Sequence, residues 1–335
     1  MRTRLTEMFN LVHPIVLAPM GGVSGGRLAA AVSNAGGLGL VGGGYCDPPW
    51  LQRELRIAAS LSRANWGVGL ITWCITPAIM KRVLRCHPAA ILLSFGDPRP
   101  WSGVVKKSGA RLICQVQDLA GARLALEAGA DVIVAQGTEA DGHGASRATF
   151  PLVPAVADLA GPVATLAAGG IADGRGLAAA LMLGADGALI GTRFYAATEA
   201  LANDAAKLKL VTANGDSTTR TRVFDIVRDL NWPAPYTGRA LVNQFTQKWE
   251  GLDGLLRSDQ QEAPRFKHAQ ARADFDTAMV WAGECVDLID SVETAKAIVL
   301  SIARGAEQRI AEVHRVLRKA QVDASTDWPI KSAGA

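Results

Sequence analysis

The chain predicts an α/β fold: a (β/α)8 TIM barrel followed by a C-terminal helical lid. Eight short apolar runs carry that expectation, at residues 15–18, 38–41, 68–71, 90–93, 112–116, 132–135, 163–167 and 188–190. Runs of this length, nearly free of polar residues, suit strands covered on both faces, as in a parallel sheet. Amphipathic stretches at 27–34, 49–63, 77–86, 119–128 and 152–159 fall between them, spaced as crossover helices. The segments GARLALEAGAD (121–131) and GRGLAAALMLGAD (174–186) read as one βα unit used twice. In each, a helix ends at a glycine and Ala-Asp leads into the next strand. Eight units in so short a span favour closure into a barrel. A doubly wound open sheet is the alternative, because strand count alone does not fix closure.

The alternation stops after Phe194. This divides the chain into a barrel over 1–199, a helical lid over 200–280, and a segment over 281–335 that packs back on the barrel. NWPAPYTG (231–238) breaks the helical pattern. Residues 241–249 and 275–281 are short amphipathic runs. A longer run at 295–319 sets Ile298, Ile302, Ile310, Val313 and Leu317 at helical spacing.

Composition narrows the function classes. With 335 residues, 49% of them hydrophobic, only 6% aromatic, and 35 glycines, the chain has the balance of a turn-rich globular enzyme. The net charge of +4 is modest, and the basic residues mix with acidic ones, which argues against nucleic-acid binding. Five scattered cysteines (Cys46, Cys74, Cys86, Cys114, Cys285) form no CxxC pair and no zinc spacing, so no metal site is expected. The polar start MRTRLTEMFN lacks the apolar core of a signal peptide, and no run of about 18 apolar residues suggests a membrane span. The expected location is cytoplasmic.

Chemistry in a barrel gathers where strands end at the C-terminal face. Two tandem glycine corners, AAGGIADGRG (167–176) and GALIGTRF (187–194), fall after the seventh and eighth expected strands. Glycines let backbone N–H groups approach an anion, so Gly169, Gly170, Gly191 and Thr192 can hold a phosphate, and Asp173 can cap the following helix. The other strand ends supply Pro19-Met20-Gly21, Gln115 and Gln136, with glycines and amides outnumbering carboxylates. Paired acids for glycoside hydrolysis, a GxSxG elbow and an HExxH motif are missing. Glycines and amides suit a flat, polar, uncharged ring, and flavin mononucleotide (FMN) combines such a ring with a phosphate. The glycines at 21–26 lack the G-x-G-x-x-G spacing of a dinucleotide fingerprint.

The sixth loop, 136–144, offers the acid–base candidate. His143, between Gly142 and Gly144, stands just past a strand end, free to approach a ligand, and titrates near neutrality. The bland alternative is a loop histidine bonded to a carbonyl. His87, His268 and His314 sit in helix-end or surface contexts, and His13 enters the first strand at the bottom face.

Five motifs together resemble the nitronate monooxygenase (formerly 2-nitropropane dioxygenase) family of FMN-dependent barrels. They are PIVLAPMGG (14–22), AGGLGLVGGG (35–44), VAQGTEADGHG (134–144), AAGGIADGRG and GALIGTRF, and WAGECVDLID (281–290) resembles that family's late segment. The resemblance implies Pro19, Met20 and Gly21 near the flavin ring, with Gln115 and Gln136 at its polar edges. Gly142, Gly169, Gly170, Gly191 and Thr192 would line the cofactor site, the last three around the phosphate, and His143 would face the substrate. The chain departs from the family pattern twice. Asp141 replaces a glycine in the Q-G-x-E-A-G-G-H-x-G loop, where its carboxylate could orient His143 or raise its basicity. Gly69 replaces an Asn that contacts the flavin, leaving Thr72, Trp73 or a water to substitute.

The resemblance implies FMN-dependent oxidation of a nitronate or nitroalkane by dioxygen, with His143 taking the α-proton of a neutral nitroalkane. The nearest alternative is an NAD(P)H-dependent flavin reductase of the same fold acting on a quinone or enoyl thioester. A non-catalytic phosphate-binding barrel is a further alternative. A thiamine-phosphate or phosphosugar barrel ranks last, because the strand ends offer no lysine or acidic base.

Overall fold

The structure, a computed structural model, describes residues 1–326, with side-chain surroundings as far as 318. Its strands are β1 (Ile15–Leu17), β2 (Gly39–Gly42), β3 (Trp66–Ile71), β4 (Ala90–Ser94), β5 (Arg111–Val116), β6 (Val132–Gln136), β7 (Gly142–Gly144), β8 (Ala164–Ala168), β9 (Gly187–Ile190), β10 (Thr218–Thr221) and β11 (Thr237–Leu241). All eight expected barrel strands are present. They run parallel in the order β1-β9-β8-β6-β5-β4-β3-β2. Leu17 N–H donates to the Leu38 carbonyl and Leu38 N–H to the Ile15 carbonyl, each at 2.9 Å, joining the two ends. The sheet therefore closes, and the open-sheet alternative is excluded.

Alternate residues of each strand serve two cores. Val16, Leu40, Leu92, Val134, Leu166 and Leu189 fill the barrel interior. Leu17, Val41, Ile91, Leu112 and Ile133 face the surrounding helices. The polar N-terminus turns out to be a plug. Helix Arg4–Phe9, started by a Thr3–Thr6 capping box, drives Leu5 (0% exposed) and Phe9 (2%) into the interior cluster. Burying two such side chains contributes about 1.5–3 kcal/mol each.

The repeated βα unit recurs in three dimensions. Helices Leu119–Glu127 and Gly174–Met182 both end at a left-handed glycine, Gly129 (φ 70°) and Gly184 (φ 90°). The Asp that follows turns back on the neighbouring strand: Asp131 Oδ2 accepts from Leu112 N–H at 2.8 Å, and Asp186 Oδ2 from Thr165 N–H at 2.9 Å. Asp186 also receives Arg4 Nε at 2.8 Å, tying the plug to the barrel floor.

Beyond the barrel, the expectation of helices and connectors alone is corrected. β10, β11 and β7 form an antiparallel ribbon that takes in the sixth loop itself. Gly238 pairs with His143, so the loop is pinned rather than free. Of the run 241–249, Leu241 closes β11 and Gln244–Trp249 form a helix, whereas 275–281 is non-helical, with Trp281 bridged to Ala240 of β11. The long helix Ala295–Thr326 lies on Gly174–Met182, where a Cβ on Gly174 would stand 2.3 Å from Ala306 N. Ile298 and Ile302 are buried and Ile310 half-buried, whereas Val313 and Leu317 are exposed, so only its first half packs down. The expected segment 281–335 extends outside the described residues from 327 on. Among the described residues no helix is long and apolar enough to cross a membrane.

Candidate active site

A cavity of about 700 Å³ opens at the C-terminal ends of the barrel strands. Its wall includes each residue expected to contact the cofactor or act as the base: Pro19, Met20 and Gly21 after β1, Gln115 in β5, Gln136 closing β6, Gly142 and His143 in β7, Gly169 and Gly170 after β8, and Gly191 and Thr192 after β9. The ribbon and the returning segment add Arg228, Trp232, Trp281 and Cys285.

The floor is backbone. A Cβ on Gly69 would stand 2.2 Å from the Pro19 ring, so the position that carries Asn in the family pattern admits no side chain here. Neither expected substitute lines the cavity. Thr72 Oγ1 is buried with no partner among the described residues, and Trp73 packs edge-on against Trp232 with ring centroids 5.4 Å apart.

The glycine corners leave donors available. Gly169 (φ 102°) and Gly170 (φ 76°) turn the chain after β8, and the N–H groups of Gly170, Gly191 and Thr192 have no protein acceptor among the described residues. Asp173 caps the following helix as expected, its Oδ1 accepting from Arg175 and Gly176 N–H at 2.9 and 3.2 Å. That helix end is thus already satisfied, and the anion-holding capacity lies in the turns themselves.

The glutamines brace the histidine strand. Gln136 Oε1 accepts from Gln115 Nε2 at 3.0 Å and from Gln117 Nε2 at 2.8 Å, while its own amide donates to the His143 carbonyl at 3.1 Å. Gln136 is buried, so these bonds hold it in one orientation.

His143 is fixed on two sides. Its Nε2 lies 2.9 Å from Asp225 Oδ2, with the two side chains only 8% and 4% exposed. Arg228 holds the other Asp225 oxygen at 3.0 Å. The Trp232 ring stacks on the imidazole, centroids 3.5 Å apart and planes within 7°. Phe95, in the left-handed region at φ 60°, stands edge-on to Trp232 at 5.0 Å and closes this wall. A carboxylate at Nε2 favours the tautomer with its proton there, leaving the Nδ1 lone pair, which has no protein partner among the described residues. Burial lowers the His143 pKa, and Asp225 pulls in the opposite direction.

The residue orienting His143 is therefore Asp225, not the expected Asp141. Asp141 turns the other way, toward Gly191 and Thr192. Burial raises its carboxyl to about 6, against the hydrogen bond from Thr192. Cys285 beside it is pushed up to about 12 by burial, which keeps it a thiol. Sequence reasoning missed Asp225, Arg228 and Trp232. Their one signal was NWPAPYTG, read only as a helix break, although that break delivers Trp232 to the site.

The family model described as "Nitronate monooxygenase" matches residues 2–74 and 76–305. A nitronate monooxygenase of Neurospora crassa is 30% identical, over 93% of this chain and 94% of its own. The (3aS,4S,5R,7aS)-5-hydroxy-7a-methyl-1-oxo-octahydro-1H-indene-4-carboxyl-CoA dehydrogenase of Rhodococcus jostii is 29% identical, over 92% and 97%. The solved nitroalkane oxidase of Streptomyces ansochromogenes superposes with a TM-score of 0.81 at 25% identity, covering 93% of this chain and 100% of that one. With the five motifs gathered on one barrel mouth and a family match across nearly the whole length, this chain belongs to the nitronate monooxygenase family and is an oxidoreductase.

Proposed function

We propose that the chain binds FMN in this cavity and oxidises nitronates and nitroalkanes with dioxygen. One observation carries the reading. His143, oriented by Asp225 and stacked on Trp232, shares a wall with glycine turns whose N–H groups await an acceptor. The groups present fit the cofactor: backbone floor for a flat ring, amides at its polar edge, and free donors at Gly170, Gly191 and Thr192 for a phosphate. Bound FMN supplies the electron acceptor and the reaction with dioxygen. The chain's own residues do the rest. For a neutral nitroalkane, His143 Nδ1 takes the α-proton while the electron pair passes into the nitro group, giving the nitronate. Asp225 and the Trp232 face stabilise the resulting imidazolium. For a nitronate already formed, protonated His143 donates a hydrogen bond to the anion.

In this reading residues 1–199 hold the cofactor, 200–280 cover the mouth and exclude water, and 281–335 return to the barrel. The free thiols of the described structure suit a reducing compartment, so the proposed location is the cytoplasm.

The test is a visible spectrum of the purified protein, followed by anaerobic addition of a nitronate, a nitroalkane, NADH and NADPH separately. Flavin colour bleached by the nitronate supports the proposal, and a colourless protein that takes up no FMN refutes it. His143→Asn should abolish turnover of the nitroalkane and spare the nitronate. A second reading, NAD(P)H-dependent reduction of a quinone or enoyl thioester, is favoured by the cavity volume and by the likeness to a relative named for a carboxyl-CoA substrate. Bleaching by NADH with no turnover of a nitronate would select it.

A further inference from the structure

Asp141 aims a carboxylate at the corner assigned above to the phosphate. A Cβ placed on Gly191 would stand 2.6 Å from Asp141 Oδ1 and 3.3 Å from Oδ2, so the carboxylate lies against the turn that offers the free Gly191 and Thr192 donors. The Thr192 hydroxyl accepts the Gly283 N–H at 3.1 Å and, beside Asp141, favours its ionised form. Both carboxylate and corner line the same cavity.

No cation pairs with that carboxylate among the described residues. Two arginines face the loop: Arg220 of β10 bonds to the carbonyls of Thr138, Thr237 and Ala140 and only opposes at a distance the effect of burial on Asp141, while Arg239 of β11 bonds to the Thr138 carbonyl and pairs with Glu284. Tyr195, from the short helix after β9, and Cys285, from the returning segment, are neutral neighbours. Asp173 adds further negative charge near Cys285. On the loop itself, Glu139 accepts from Thr149, and His143 is engaged by Asp225. A phosphate monoester is largely dianionic at pH 7, with a second pKa of about 6. Two anions in contact cannot both stay ionised, so one proton must sit between them.

We propose that Asp141 binds the phosphate of FMN through a shared proton, so that the cofactor binds with uptake of one proton and prefers low pH. This rests on the FMN reading. An un-ionised carboxyl donates its O–H to a phosphate oxygen, while Gly170, Gly191 and Thr192 donate their N–H groups. Above about pH 6 each pH unit should weaken FMN binding about tenfold, because the proton must come from solution. Riboflavin, with no phosphate, should bind with no such slope.

The experiment uses the full chain loaded with FMN or with riboflavin. It is diluted across a pH series from about 6.5 to 8.5, and release is read from the recovered flavin fluorescence. Expected for the wild type is a loss of about tenfold per pH unit with FMN and a flat response with riboflavin. Asp141→Asn and Asp141→Gly should remove the FMN slope and bind FMN at least about tenfold tighter at the alkaline end. A slope that is the same in all three proteins, or shared by riboflavin, overturns the role of Asp141 and leaves the FMN reading standing. Failure of all three to hold either flavin overturns both.

Discussion

Replacing Asp225 by asparagine tests the histidine arrangement most directly. The native pair is a buried, charge-assisted bond of 2.9 Å between groups 8% and 4% exposed, so solvent screens it little. Such a bond contributes about 1.5–3 kcal/mol, or roughly ten- to a hundredfold in a rate that depends on it. The asparagine amide would donate to Nε2 and drive the ring proton onto Nδ1, removing the lone pair proposed to accept the α-proton. Turnover of a nitroalkane should fall by about that factor, while oxidation of a preformed nitronate should change little. The pH profile gives a second readout. Asp225 raises the His143 pKa against the lowering caused by burial, so its removal lowers that pKa further. The base is available above its pKa, and the acid limb of the remaining nitroalkane activity should therefore move to lower pH. Oxygen uptake measured against pH with both substrates decides the matter. An acid limb that stays put or moves up, or equal losses with both substrates, would refute the reasoning.

Further outcomes follow from packing and charge. Leu5→Ala empties the fully buried plug and should lower stability by about 2–5 kcal/mol in urea unfolding. Gly69→Asn restores the residue of the family pattern but drives a Cβ to 2.2 Å from the Pro19 ring. It should cost about 1–3 kcal/mol and weaken flavin retention rather than improve it, checked by melting temperature and flavin content. Asp141→Asn should change how stability without cofactor depends on pH. The carboxyl is raised from 3.8 to about 6, so the native state holds a proton the unfolded chain releases. That contribution is full below the unfolded pKa and is lost as pH rises through about 6, so the wild type should lose up to about 3 kcal/mol relative to the variant between acid and neutral pH.

Much of the architecture was legible because the barrel strands are local signals. Each is an apolar run bounded by glycine or by a helix cap, and the two Gly-Ala-Asp endings mark real helix stops. The ribbon was not legible. β7 is Gly-His-Gly, with no alternation to mark a strand, and it forms only because β11 arrives from far along the chain. The same distance hid Asp225, which meets His143 across 82 residues of sequence. Asp141 misled for the opposite reason: nearness in sequence suggested a partnership with His143, but Gly142 at φ 61° turns the two side chains to different parts of the cavity. The glycines reach the cavity wall at the strand ends where the sequence sets them, because position along a strand already determines where backbone lies.

The ribbon also sets when the site can exist during synthesis. The barrel strands are all available once β9 has emerged from the ribosome, yet β7 then still lacks the neighbour that aligns it. Asp225, Trp232 and β11 emerge later, and until then β7 lacks its pairing strand and His143 lacks both its carboxylate and its stacking ring. Arming the histidine thus waits on residues translated after the last barrel strand.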